Sequence, residues 1–358
     1  MKLKGILRTA APAAGLILLA LQPEIGMSAA RKGLATWAGA LVPALFPYCF
    51  LAIALQRGAL GRALGRRMHP LMRLMRCPED GAGALICGWL GGNPTGAKLT
   101  AICAERGGDG GSYLRLALIS SACSPAFALG TLGTALPGCG WTLLISSWLG
   151  TLLGSLMLRA LPSAVSPVAG AAARQDGGQP ACEAARTMLL IGCWVVLFTV
   201  LSAYLYWAAL LLVPGVSPHA LAFAHALLEM AGGSLALSEL AGPWTLPLIS
   251  FAITFGGLSI TLQSLALLRP FGVPGGRYAA GKALQGALAA LICALMERGG
   301  TVEALARSGV MPLSEPAGQL APALAALALG AVALALNRRY IAYENADDAA
   351  RAARQKKG

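Results

Sequence analysis

The sequence predicts an all-α, polytopic membrane protein, a bundle of two repeats that each carry interrupted or re-entrant helices. Three observations predict it. Hydrophobic residues make up 56% of the 358 residues and charged residues only 12%, with a mean hydropathy of +0.66, far from the composition of soluble domains. Apolar stretches of the ~20 residues that a bilayer core demands recur along the chain, and the length leaves room for roughly eight to ten of them. Four of these stretches are interrupted at their middles by Gly, Pro, Ser or Asn, in corresponding places of the two halves.

The elements follow in order. Met1 to Leu21 places Lys2, Lys4 and Arg8 before an apolar run, which reads as a retained first transmembrane helix, with a signal peptide as the alternative. Leu34 to Leu55 is apolar with Pro43 and Pro47 inside it, so a kink is expected. From Arg57 to Arg76, six arginines alternate with Leu and Met at near-helical spacing. That pattern fits an amphipathic surface helix or an ordinary basic cytoplasmic loop, and both give the same orientation. Ala82 to Glu105 is broken at Gly91–Gly96, and Tyr113 to Leu136 at Ser120–Pro125. A regular span covers Trp141 to Leu158. Arg159 to Pro180, rich in Pro, Gly, Ala and Ser, reads as a loop. Thr187 to Val213 is uninterrupted, His219 to Leu240 is broken at Glu229–Ser234, and Trp244 to Leu268 is broken at Thr254–Ser259. Spans at Tyr278 to Met296 and Leu320 to Leu336 complete the set, and the basic tail through Lys357 places both termini in the cytoplasm. One integral membrane domain, 1–358, is therefore expected: a first repeat half with the N-terminal helices (1–158), a central loop (159–186), a second repeat half (187–298), and a last helix with its tail (299–358).

The order of two broken segments and then a continuous span occurs once before the central loop and once after it. Gly92 and Gly232 lie 140 positions apart, and Pro125 and Gly256 lie 131 apart, so the breaks recur at nearly one period. Paired interruptions of this kind point to a solute site at the repeat interface, because unwound backbone at membrane depth survives only when it is buried or lines a cavity. Close packing of small residues is the bland alternative.

The chemistry at the breaks nominates site residues. Lys98 lies in an apolar run, where an ammonium costs ~2.5–3.5 kcal/mol on insertion scales. Gly96 lets a half-helix start beside it, whose free N–H groups and positive dipole end could join Lys98 in holding an anion. Thr95 and Asn93 add directional hydrogen bonds. Glu229, between Leu228 and Met230, could pair with Lys98, take up a proton or bind a cation. Ser124, Ser259, Thr261 and Gln263 would complete a small hydrogen-bonding cavity.

Other classes are disfavoured. The net charge of +13 is spread over membrane-flanking positions and meets lipid headgroups, so no nucleic-acid partner is expected. The nine cysteines show no C-x-x-C spacing and read as small apolar residues, and His69, His219 and His225 are dispersed, so no metal or other cofactor is expected. The chain has no paired carboxylates, no H-E-x-x-H and no phosphate-binding loop, which argues against an enzyme. The sequence sets no oligomeric state, and a homo-oligomer is compatible with it.

Leu90 to Leu99, with Pro94-Thr95-Gly96-Ala97-Lys98 at its centre, resembles the signature of the YlbJ-type sporulation integral membrane proteins, within the nucleoside-recognition or Gate group. The resemblance extends in matching order to Ser124-Pro125 with Phe127, to Leu228-Glu229-Met230, and to Gly256-Gly257-Leu258-Ser259 with Gln263. It implies a nucleoside-transporter-like fold and transport of dipicolinic acid across the outer forespore membrane during sporulation. A planar aromatic dianion is compatible with Lys98 and half-helix N-termini. Two alternatives stand beside it: a Gate-type transporter of nucleosides or another small solute, reading it through Asn93, Glu229 and Gln263, and a non-transporting spore-membrane assembly protein that docks partners on the Arg57 to Arg76 segment.

Overall fold

The computed structural model describes residues 13, 15–57, 68–105, 107, 109–159, 179–213 and 215–298. Residues 160–178 of the expected central loop, the Leu320 to Leu336 span, the basic tail, residues 1–12 and 14 of the first segment, and residues 58–67 of the Arg57 to Arg76 segment lie outside them. The described residues are helical, with no strand among them, and four stretches are long and apolar enough to cross a membrane: Gly140–Leu158, Pro180–Leu212, Thr245–Phe271 and Gly275–Glu297. The protein is an all-α membrane protein.

The N-terminal part is one helical path rather than a span opening at Leu34. Helix α1 (Pro23–Thr36) passes through a π turn at Trp37–Leu41 into α2 (Val42–Arg57). The Val42 N–H reaches back five residues to the Trp37 carbonyl. The wide turn thus sits just ahead of Pro43 and Pro47, whose rings and missing N–H groups disturb an α ladder.

The four expected breaks are present, in two different forms. Helices α3 (Ala82–Gly91) and α4 (Thr95–Ala104) fold back on each other around Gly92 to Pro94. Cys103 near the end of α4 lies 3.9 Å from the Asp80 carbonyl ahead of α3, so the pair is a hairpin that returns to the side it entered from. Each arm has 10 residues, about 15 Å, which carries the tip to the middle of a ~30 Å bilayer core. Gly92, at φ 73°, ends α3 in a conformation that suits glycine.

Helices α5 (Gly110–Ser120) and α6 (Ala126–Ala135, with π bonding over Ala126–Leu132) instead continue one another across a non-helical stretch, 121–124. The Asp109 carboxylate caps α5 through the Ser112 N–H at 2.9 Å. Helix α7 (Gly140–Leu158) follows and closes the first half.

Helix α8 (Pro180–Leu212) has 33 residues, about 50 Å, more than a bilayer core is thick. It begins within the expected central loop of 159–186, because Pro180 at its first turn and Glu183 behind it favour a helix start. Leu189, Leu197, Leu201, Leu205 and Leu212 are exposed along it, an apolar face suited to lipid. Its other face packs on α1 and α2.

The second half also contains a hairpin. Helices α9 (Pro218–Leu228) and α10 (Met230–Ser238) form another hairpin. His219, at its start, lies 3.5 Å from Thr245 just beyond its end. The break is narrower than the expected Glu229–Ser234: only Glu229 leaves the helical region, at φ −133° and ψ 110°, and helix resumes at Met230. Helices α11 (Thr245–Phe255) and α12 (Gly257–Leu268) continue one another through Gly256 at φ 88°, and α13 (Gly275–Arg298) packs on α7 and α11.

Candidate solute site at the hairpin tips

The tips of the two hairpins and the two helix breaks converge on one cavity. Asn93 and Pro94 come from the first tip, Cys123, Ser124 and Phe127 from the α5–α6 break, and Glu229, Met230 and Ala231 from the second tip. Helix α12 adds Ser259, Ile260 and Gln263, while Leu41, Leu45, Ile191 and Val195 close an apolar side. The cavity volume is about 40 Å³, space for two or three water molecules and not for a ring compound. The described conformation thus leaves little free volume at the site.

Close approach of backbone makes this convergence possible. A Cβ on Gly92 would lie 2.7 Å from the Ser124 Cβ, and one on Gly257 would lie 3.1 Å from the Met230 nitrogen. Gly88 and Gly96, on the two arms of the first hairpin, both press against the Ser120 carbonyl. Small residues thus let each tip rest on a break of its own half.

The polar groups in the cavity differ in how fully they are satisfied. Both polar atoms of the Asn93 side chain and the Oε1 of Gln263 are buried without a hydrogen-bond partner among the described residues. The Gln263 Nε2 donates to Ser259 Oγ at 3.0 Å. Asn93 also lies close to the second break, since a Cβ on Gly256 would stand 3.5 Å from its Nδ2. Unpartnered amides are costly in an apolar interior, and here they point to one small volume. Ser124 Oγ accepts from the Phe127 N–H at 3.3 Å and starts α6.

Glu229 is buried, at 3% exposure, and it serves its own helix. Its two carboxyl oxygens accept from the Ala231 N–H at 2.9 Å and the Gly232 N–H at 2.6 Å, so it caps α10 at the positive end of the dipole. The expected pairing with Lys98 is absent. Lys98 lies 3.7 Å from Glu183 in the first turn of α8, eight residues or about 12 Å before Ile191 on the cavity wall. Lys98 is therefore outside the cavity, and no Lys or Arg is among the described residues lining it. Thr95 and Gly96 are buried in the hairpin arm, and Thr261 bonds the Gly257 carbonyl at 2.8 Å; none of the three lines the cavity. The structure thus brings together Asn93, Ser124, Glu229, Ser259 and Gln263 of the expected set.

The sequence reading missed the residues that hold the first break open. Ending α5 at Ser120 frees its last carbonyls, and side chains from three other helices close them. Gln285 Nε2 donates to the Leu118 carbonyl at 3.1 Å, Trp89 Nε1 to Ile119 at 2.6 Å, Lys282 Nζ to Ser121 at 2.6 Å and Trp148 Nε1 to Cys123 at 2.9 Å. Buried backbone needs such partners wherever a helix stops in an apolar medium. The one available signal was the spacing of Tyr278, Lys282 and Gln285, which puts three polar residues on one face of an otherwise apolar helix.

No family model matches the chain, and no solved structure matches it. The chain is 26% identical over 279 residues to the sporulation integral membrane protein YlbJ of Bacillus subtilis (strain 168). That alignment covers 69% of this chain and 65% of the relative, so the chain spans just under two thirds of the length of the protein it matches. The chain is thus similar to a sporulation integral membrane protein, and its own apolar helices agree with an integral membrane protein.

Proposed function

We propose that the chain is a membrane transporter that carries a small organic solute, without altering it chemically, through the point where the two hairpin tips meet. One observation carries the proposal: four helix breaks converge on a small cavity lined by Asn93 and Gln263, whose side chains carry buried, unpartnered amide atoms. Broken helices around a polar pocket at mid-membrane are the construction that solute carriers use. The resemblance of the Leu90 to Leu99 segment implies dipicolinic acid as the solute and the outer forespore membrane as the location.

A second reading has its own support. No Lys or Arg lines the cavity and Lys98 is engaged by Glu183, while amides, hydroxyls and a carboxylate face inward. Such a lining suits a neutral hydrogen-bonding solute such as a nucleoside. Glu229 separates the two readings, because it fills the α10 N-terminus that an anion would use. Removing it should strengthen binding of an anion and weaken binding of a neutral solute.

The experiment is flux into proteoliposomes of radiolabelled dipicolinate and, in parallel, uridine, for the native chain, Asn93→Ala, Gln263→Ala and Glu229→Gln. Transport requires native flux above that of empty liposomes and at least a tenfold loss in Asn93→Ala or Gln263→Ala. Native flux equal to that of empty liposomes for both solutes, with the protein folded, would rule against these two substrates; intact flux in both amide variants would rule against this site.

A further inference from the structure

We infer that the ammonium of Lys282 is a tethered cation filling an ion position at the first helix break, so that the break needs no free sodium or potassium ion. Helix α5 ends at mid-molecule with the negative end of its dipole and free carbonyls beyond it. Unwound carbonyls at a half-helix C-terminus are where membrane carriers coordinate monovalent cations. In this chain that position is occupied from within. Lys282 is 1% exposed and its Nζ donates to the Ser121 carbonyl at 2.6 Å. Tyr278, one turn earlier on α13, donates to Ser121 Oγ at 3.4 Å. The flanking carbonyls receive only neutral donors, from Trp89, Gln285 and Trp148.

The surroundings leave the carbonyl end as the counter-charge. Among the described residues packed against α13, helices α7, α11 and α12 contain no Asp, Glu, Lys, Arg, His or Tyr. Helix α5 contributes Tyr113, whose hydroxyl donates to the Gly107 carbonyl at 2.7 Å, and Arg115, which donates to the Arg76 carbonyl at 2.8 Å. The break contributes Cys123, and α13 itself adds Tyr278 beside Lys282, with Arg277, Glu297 and Arg298 at its ends. A buried ammonium with no carboxylate facing it needs a partner of the opposite sign, and the free end of α5 supplies one. At the second break Gly256 turns left-handed at φ 88°, and no charged side chain occurs on α11 or α12.

The test uses the full chain purified in detergent and does not depend on any substrate. Thermal unfolding is followed in sodium, potassium, methylammonium and choline chloride at matched ionic strength. The native protein should unfold at one midpoint in all four salts. Lys282→Ala should lose about 5 °C in choline and regain at least half of that, saturably, with methylammonium or sodium. Lys282→Gln, which keeps a donor for the Ser121 carbonyl but not the charge, should remain below native. A sodium-specific stabilisation of the native protein would overturn the inference, since an external ion would then share the break. So would identical midpoints of Lys282→Ala in choline and methylammonium, or a Lys282→Gln variant as stable as native. If Lys282→Ala cannot be purified in any salt, the native profile and the Gln variant decide the matter by the same criteria.

Discussion

Glu229 offers the sharpest quantitative expectation, because its two oxygens each hold one backbone N–H at the start of α10. Replacing it with alanine leaves the Ala231 and Gly232 N–H groups without that acceptor in a buried tip. An unsatisfied buried donor costs about 1–3 kcal/mol, so the two together cost about 2–6 kcal/mol. Part of this is offset, since a buried carboxylate was itself expensive to desolvate, and the net loss expected for Glu229→Ala is about 2–3 kcal/mol. Glu229→Gln keeps one acceptor oxygen but turns an NH2 group toward the second N–H, and should lose about 1 kcal/mol. Chemical denaturation of the purified protein measures both. Hydrogen exchange localises the effect, since the amides of residues 231 and 232 should exchange faster in Glu229→Ala while those of α4 do not change. Unaltered protection at 231 and 232, with stability within ~0.5 kcal/mol of native, would refute the capping role.

Other expectations follow from the same geometry. Gly96→Ala should destabilise by about 2–3 kcal/mol, because its Cβ meets the Ser120 carbonyl and carbon, the latter at 2.5 Å, and backbone cannot step aside; Gly130→Ala, with nothing within 4 Å, should be neutral or slightly stabilising in the same unfolding assay. Trp148→Phe should cost about 1–2 kcal/mol by orphaning the Cys123 carbonyl, read as a lower denaturation midpoint. A double-mutant cycle on Lys98 and Glu183, both largely buried at 3.7 Å, should return a coupling of about 1–2 kcal/mol; a value near zero would free Lys98 for another role. The buried Cys77 lies between helices, outside the spans, and burial pushes its thiol up to about 12, so below pH ~10 it stays protonated and resists maleimide, whereas the exposed Cys182 should label, as mass spectrometry of peptides would record.

The membrane class and the positions of the breaks were legible because composition and Gly/Pro punctuation are local properties. Whether a break turns the chain back was not. Gly92 to Pro94 and Glu229 reverse direction, while 121–124 and Gly256 do not, and the choice is made by what each arm packs against. Gly88 and Gly96 seat the first hairpin on Ser120, and Gly233 seats α10 against Ala226. Lys98 shows the limit from the other side. Sequence proximity placed it at the tip, yet one helical turn of α4 carries its side chain toward Glu183 and away from the cavity. Glu229 was recognised as a buried carboxylate, and its role as a cap depended on a backbone angle that no pattern reports.

The two halves each hold a hairpin and a continued pair of helices, and they differ in what surrounds their breaks. At the second break a single left-handed residue, Gly256, separates the two helices, and Ser259 and Gln263 just beyond it line the cavity. The four non-helical residues 121–124 and the end of α5 present carbonyls that side chains close. They require donors long enough to reach from neighbouring helices, which is why Trp89, Trp148, Lys282 and Gln285 surround that break. The same asymmetry places the charges. The positive end of α10 is held by Glu229 within the second half, and the negative end of α5 by Lys282 from the last described helix. Two of the half-helix ends at the breaks thus meet a polar side chain from Glu229 or Lys282, and Asn93 and Gln263 are left as the cavity-lining side chains with buried polar atoms whose hydrogen bonds remain to be made.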